Sequence, residues 1–277
     1  MKIKSIKNIT IIGVGLIGGS IGLALKKSKG VKVKITGVGR NIRRLQLAKK
    51  LKAVDEITLD LKEGVKNAEV VFVCLPIDLI APTVKKIIPY CQKKTIITDV
   101  GSIKEPIVKK IKTANFVGGH PIAGSEKTSV QYASANLFSG ATVVLTPTSQ
   151  TSPAALATIK KLWKIMNART IITMPATTHD RLIAFTSHLP HILAFALINS
   201  INDFSLVGPG FRDTTRIASA DSKIWSEIIW QNRKNISAAL SRFQKELLKI
   251  KNARHIIQLQ KICQRAKNIR DRLYEQK

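Results

Sequence analysis

Acidic residues are scarce in this chain, cysteines are scarcer, and long apolar runs are missing. Only 17 Asp and Glu stand against 46 Lys and Arg in 277 residues, a formal net charge of +29. Such an excess raises the question of nucleic acid. The cations, however, are spread over every segment ("LALKKSKGVKVK", "NIRRLQLAKKLK", "QKELLKIKNARH") instead of forming a basic arm, and aromatics able to stack on bases are 5% of the chain. No specific nucleic-acid partner is expected, although a positive field also draws in small anionic substrates. Cys74, Cys91 and Cys263 are odd in number and include no CxxC pair. That pattern supports neither a disulfide framework nor a zinc site, and it suits a reducing cytoplasm. No uninterrupted apolar run approaches the roughly 18 residues that a bilayer-spanning helix needs, so no membrane segment is expected. The N-terminus "MKIKSIKNITIIG" is basic and then apolar, but it runs into a glycine cluster with no small-residue cleavage site, and reads as a first strand.

What is present is an alternation. Short β-branched runs at 8 to 13, 33 to 39, 69 to 76, 95 to 100, 115 to 120, 141 to 147 and 169 to 174 are separated in many places by helical stretches such as "SIGLALKKS" and "AALATIKKLWKIM". Near-continuous apolar strands between helices indicate a sheet covered on both faces. The fold class is therefore α/β: an N-terminal Rossmann-like, doubly wound, mostly parallel sheet over residues 1–174, followed by an all-α domain over 175–277. In that second part only helical periodicity remains, apart from a break at "LVGPGFRD". Apolar residues at 259, 262, 266, 269 and 273 form one stripe on the last helix, expected to be buried within the helical domain or against a second subunit.

"GVGLIG", Gly13 to Gly18, is a GxGxxG between a candidate strand and a candidate helix. Gly13 would allow the tight turn, Gly15 the approach of a pyrophosphate, and Gly18 close packing of helix on strand. Leu16 and Ile17, inside the fingerprint, and Leu75 and Pro76, at the end of "EVVFVCLP", join the expected cofactor contacts. A carboxylate that would bind a free ribose 2′-hydroxyl belongs at the end of the second strand, about 20 residues after the fingerprint. That strand ends "GVGRNIRR", with Gly39 in the acidic position and Arg40, Arg43 and Arg44 after it. Guanidinium groups in place of an anion favour a 2′-phosphate, so NADP is expected in preference to NAD.

Ligands of open parallel sheets bind beyond the carboxyl ends of the strands. "TDVGS" puts Ser102 after one such strand, and "GGHPIAGSE" puts His120, Ser125 and Glu126 after the next. In "TSHLPHILAF", His188 and His191 share a helix face, and Pro190, unable to bond the Thr186 carbonyl, should kink the helix beside them. Each histidine also has an ordinary reading as a satisfied core residue. In "GFRDTTRIASADSKIW", Arg212 and Arg216 fall one turn apart if helical, with Asp213 placed to orient a neighbouring cation.

The set "GVGLIGGS", "DVGSIK", "GGHPIAGSE", "HDRLIAFTSHLPH" and "GFRDTTRIASADSKIW", in this order over nearly the whole chain, resembles the prephenate/arogenate dehydrogenase family of tyrosine biosynthesis. The resemblance implies a Rossmann domain, a helical dimerisation domain, and oxidative decarboxylation of a cyclohexadienyl substrate with hydride transfer to NAD(P)+. It implies that His120 accepts the proton of the ring hydroxyl, assisted by Ser102. It also implies that Arg216 binds the dianionic substrate, with His191 and His188 lining the pocket and Trp225 at the pocket or a subunit contact. Ser125 and Glu126 become substrate contacts, Glu126 at the substrate's tail. "GVGR" and "GFRDTTR" are more similar to the NADP-using, arogenate-preferring branch. Two other readings stay open at this point: a β-hydroxyacid or imine-type NADP dehydrogenase, and an NADP-binding sensor without catalysis.

Overall fold

The computed structural model describes residues 6–28, 32–124 and 127–275. Ser125 and Glu126 lie outside the described residues. Eight strands form one sheet: β1 (Asn8–Ile12), β2 (Lys34–Val38), β3 (Glu56–Thr58), β4 (Val70–Val73), β5 (Ile96–Asp99), β6 (Phe116–Ile122), β7 (Thr142–Thr146) and β8 (Thr170–Thr173). Their order is β3-β2-β1-β4-β5-β6-β7-β8, parallel throughout except for the antiparallel β6–β7 pair. The seven strands expected from sequence are all here. β3 was not expected, because three residues reading EIT carry too little apolar pattern to stand out.

Helices connect the strands: α1 (Leu16–Lys27), α2 (Ile42–Lys50), α3 (Leu61–Val65), α4 (Ile77–Ile87), α5 (Glu105–Val108) and α6 (Pro153–Ile165). The strand residues alternate between two apolar layers. Ile9, Ile11, Val70 and Phe72 pack with Ile21, Leu25 and Trp163 on one face, whereas Ile12, Val71 and Val73 pack with Ile80, Val84 and Ile107 on the other. Each fully buried side chain of this size contributes roughly 1.5–3 kcal/mol, which is why every residue of β4 is apolar. β1 lies between β2 and β4, so the chain winds away from it in both directions. A crevice at the carboxyl ends of β1 and β4 follows from that reversal.

After β8 every element is helical: α7 (Ala176–Ile183), α8 (Leu189–Asn199), α9 (Pro209–Thr215), α10 (Ser222–Gln231), α11 (Arg233–Lys251) and α12 (Ile256–Glu275). The kink expected at Pro190 takes the form of one π-turn, Ala184–His188, closed by the Leu189 N–H bonding to the Ala184 carbonyl five residues back. Pro190 follows this turn inside a continuous helical run and offers no N–H to a carbonyl one turn back, a missing bond that the wider spacing of the π-turn accommodates. Taken as one helix, Ala176–Asn199 is long and apolar enough, with a mean hydropathy of 1.5, to cross a membrane by length and composition alone. It contains no uninterrupted apolar run of that length, because Asp180, Arg181 and three histidines divide it. In the structure α7 packs on β7 and α5.

The contacts divide the chain into two compact units, Met1–Asn232 and Arg233–Lys277. The second is formed by α11 and α12. Burial of the α12 stripe within the chain is corrected by the structure: Leu259, Ile269 and Leu273 are 36%, 51% and 64% exposed. Helical spacing requires an apolar face to be covered but says nothing about what covers it.

Candidate active site

The glycine turn leaves β1 through Gly13, whose φ is +90° and whose N–H bonds the Val38 carbonyl. A Cβ there would stand 2.3 Å from the Cys74 carbonyl oxygen and 3.0 Å from Leu75. Gly18 is equally closed, since its Cβ would meet the Gly13 carbonyl at 2.2 Å. Gly15 is different: nothing lies within 4 Å of a Cβ built on it. It is also the N-cap of α1 and provides no side chain to cap the helix. Leu16, Ile17 and Gly18 form the first turn behind it. Backbone N–H groups at a helix start with open space before them fit a pyrophosphate. Leu75 and Pro76 follow β4 directly, Pro76 as the N-cap of α4. Gly39 follows β2 directly, Arg40 is exposed beside it, and Arg43 and Arg44 lie in the first turn of α2, capped by Asn41.

A buried ion pair braces the ends of β5 and β6. Asp99 and Lys104 are both fully buried and joined through Asp99 Oδ2 and Lys104 Nζ. Lys104 also donates to the Gly119 carbonyl at 2.8 Å, while Asp99 accepts the N–H groups of Gly101 (2.9 Å) and Gly119 (3.1 Å). Such a pair is tolerable inside a protein only when further hydrogen bonds satisfy both partners, as they do here. Burial pushes the Lys104 pKa down and Asp99 opposes that shift. The pair holds Gly119 in place, and the next residue is His120.

His120 is an inward residue of β6, two positions before the strand's last residue, rather than part of a loop after it. Its Nδ1 lies 2.9 Å from His179 Nε2, and His179 Nδ1 lies 2.7 Å from Asp180 Oδ1. Asp180 also accepts the N–H groups of Lys104 and Glu105, each at 2.8 Å. Burial, followed by His179, Lys104 and His188, drives the His120 pKa well below the imidazole range, so the ring is neutral at neutral pH. Among the described residues no hydrogen bond engages His120 Nε2, and none joins His120 to Ser102, which is half-buried after β5.

Asn232 ties the π-turn to this network. Its Nδ2 donates to the Asp180 carbonyl at 2.9 Å and lies 3.1 Å from His188 Nδ1. Since both amide hydrogens are donors, His188 Nδ1 accepts and its Nε2 carries the hydrogen. That Nε2 is buried with no partner among the described residues, an orphan donor suited to an acceptor atom of a ligand. His191 donates from Nδ1 to the Ser187 carbonyl at 3.0 Å and stacks on Trp225 with centroids 3.6 Å apart. The short 3₁₀ turn that begins at Arg216 packs on α8, and the Arg216 charge, after burial, helps depress the His191 pKa. Arg212 and Asp213 are exposed on α9, which packs on α8.

Sequence matches agree with this arrangement. The description "Prephenate dehydrogenase, nucleotide-binding domain" fits residues 21–172, and "Prephenate dehydrogenase, dimerization domain" fits residues 175–268. The chain belongs to the prephenate dehydrogenase family.

Among the family's members, the cyclohexadienyl dehydrogenase of Zymomonas mobilis is 31% identical over 261 residues, 89% of this chain and 88% of that protein. The crystal structure of prephenate dehydrogenase from A. aeolicus in complex with hydroxyphenyl propionate and NAD+ superposes with a TM-score of 0.90 at 31% identity, covering 99% of both chains. The crystal structure of Synechocystis arogenate dehydrogenase superposes with a TM-score of 0.81 at 30% identity, covering 96% of this chain and 99% of that one. This prephenate dehydrogenase family member is thus an NAD(P)-dependent enzyme of tyrosine biosynthesis that oxidatively decarboxylates a cyclohexadienyl substrate. The β-hydroxyacid and sensor readings lose their ground.

The motifs shared with the family also contain buried polar residues that sequence spacing does not connect to His120. Asp99 and Lys104 lie in "DVGSIK", and His179 and Asp180 in "HDRLIAF". Their signal was economy of charge: in a chain with 17 acids, an aspartate inside an apolar strand or beside a histidine on an apolar helix is out of place unless it is bonded.

Proposed function

We propose that the enzyme oxidises arogenate in preference to prephenate, uses NADP in preference to NAD, and relies on His120 as the proton acceptor. The observation that carries the catalytic reading is a buried, neutral imidazole held by Nδ1, with Nε2 unengaged among the described residues. When bound, NAD(P)+ supplies the hydride acceptor. The ring hydroxyl gives its proton to His120 Nε2 as hydride leaves the carbon bearing it, and the ring carboxylate departs as CO2 while the ring aromatises. Arg216 pairs with a substrate carboxylate, His188 Nε2–H offers a buried donor, and His191, fixed against Trp225, borders the same pocket. Ser102 assists at the hydroxyl. Ser125 and Glu126 contact the substrate, Glu126 at its tail, while Arg212 and Asp213 bias the approach of the anion.

Gly13, Gly15, Leu16, Ile17, Gly18, Leu75 and Pro76 hold the dinucleotide. Support for NADP is Gly39 just after β2, followed by Arg40 and Arg43, with no carboxylate between Lys34 and Arg44. Support for arogenate is the similarity of "GVGR" and "GFRDTTR" to that branch of the family. The cofactor domain is 1–174 and the helical domain 175–277, through which two copies form a homodimer in the cytoplasm. Steady-state kinetics crossing prephenate and arogenate with NAD+ and NADP+ test the reading. The highest kcat/KM is expected for arogenate with NADP+; preference for NAD+ overturns the cofactor assignment, and preference for prephenate overturns the substrate assignment.

A further inference from the structure

The hydrogen-bond chain behind His120 assigns a direction to every proton in it. Asp180, as a carboxylate, only accepts, and its Oδ1 faces both the Lys104 N–H and His179 Nδ1, so His179 carries its hydrogen on Nδ1. His179 Nε2 is then a lone pair, and His120 Nδ1, 2.9 Å away, must be the donor. That leaves the lone pair of His120 on Nε2. The ring planes are 78° apart, with the linking nitrogens at the edges of both rings.

We propose that His179, backed by Asp180, is a positioning and relay residue: it presents the Nε2 lone pair of His120 to the substrate hydroxyl and takes the Nδ1 proton of His120 when Nε2 is protonated. The proposal rests on His120 being the proton acceptor. The substrate O–H bond breaks and its proton joins His120 Nε2; the His120 Nδ1–H bond breaks and that proton joins His179 Nε2. His120 is neutral again, with its hydrogen on Nε2, and His179 is an imidazolium against the Asp180 carboxylate. The electron pair of the C–H bond leaves as hydride to NAD(P)+. After product release His120 Nε2 gives its proton to water, and His179 returns the other to His120 Nδ1.

The surroundings favour moving the charge. His120 is faced by the Lys104 cation, itself paired with Asp99, and by His179 and His188, none of which stabilises a positive ring. His179 is faced by Asp180, whose second oxygen is held by the Glu105 N–H. Both histidines are buried, at 9% and 2% exposure, so the attraction is weakly screened. Asp180 is poorly suited to a test by mutation, since it also caps the start of α5 through two backbone N–H groups.

Nitrogen-15 NMR of the histidine rings in the folded wild-type protein at neutral pH reads the tautomers without turnover. The expected spectrum has His120 protonated on Nδ1 and bare on Nε2; His120 protonated on Nε2 overturns the proposal. Substituting His179→Phe removes the acceptor and should lower kcat by about 10²-fold, the scale of a lost proton-transfer path, with KM changed less than about threefold. His179→Gln keeps an oxygen that accepts from Nδ1–H but takes no proton; it should restore the His120 tautomer and only part of kcat. Should His179→Phe fail to fold, the Gln variant and the wild-type spectrum decide. Full kcat in either variant overturns the relay. A His120→Asn control separates the two levels: if it keeps normal turnover the proton-acceptor reading itself falls, whereas if it loses turnover while the His179 variants do not, only the relay falls.

Discussion

His188 and His120 are both neutral because they are buried, and a neutral buried histidine ties stability to pH. Burial pushes the His188 pKa down to about 4, against about 6.5 for an unfolded chain. Between those values the unfolded state binds a proton that the folded state refuses, so stability is intact above pH 6.5 and falls as the pH drops toward 4. From pH 7 to pH 5 His188 should cost the fold on the order of 2 kcal/mol. Urea midpoints across that range measure it. The His188→Gln variant, which keeps an acceptor for Asn232, should show a flatter profile than wild type, and an unchanged slope would remove the burial account. At this scale His120, His188 and Arg216 were visible as unusual residues in the sequence. The partners that give them function were not, because Asp99–Lys104 closes over five residues but matters through Gly119 on another strand, and Asn232 reaches His188 across 44 positions.

The glycine fingerprint shows how one element combines two constraints that its spacing alone does not separate. Gly13 is required by the backbone, with φ at +90° and Cys74 against it, while Gly15 has open space around it. Gly13→Ala should therefore lower stability by about 1–3 kcal/mol for the conformation alone, and more for the contact with Cys74. Gly15→Ala should leave stability within about 0.5 kcal/mol yet weaken NAD(P)+ binding at least about tenfold, because its methyl occupies the approach to the helix start. Thermal denaturation and fluorescence titration of the two variants distinguish these effects; equal losses of stability would contradict the geometry. Element identity followed the local pattern closely, since buried parallel strands are apolar at nearly every position. The short polar β3 escaped that test, and the π-turn at Ala184–His188 was legible only as a proline that could not continue a helix.

At the scale of the whole molecule, the apolar stripe of α12 is exposed in the single chain, at 51% for Ile269 and 64% for Leu273, and is suited to a partner surface. The proposed homodimer through the helical domain predicts that Ile269→Asp combined with Leu273→Asp leaves the chain folded and halves its mass in light scattering; a doubly substituted chain of unchanged mass would place the subunit contact elsewhere. Those two side chains are half-exposed or more in one copy, so the substitution removes little from the single chain's own packing.

What was readable in the chain itself was local: the two apolar periods that define strands and helices, the glycine punctuation of a dinucleotide turn, and the missing acid after β2. These depend on neighbours within a few residues, and physical chemistry acts on them before the chain has any tertiary form. The tertiary structure decided the rest. It placed His120 inside β6, brought His179 and Asp180 of α7 to its Nδ1, and buried Lys104 against Asp99, because hydrogen bonds among buried polar groups are chosen by distance in space and leave no period in the sequence.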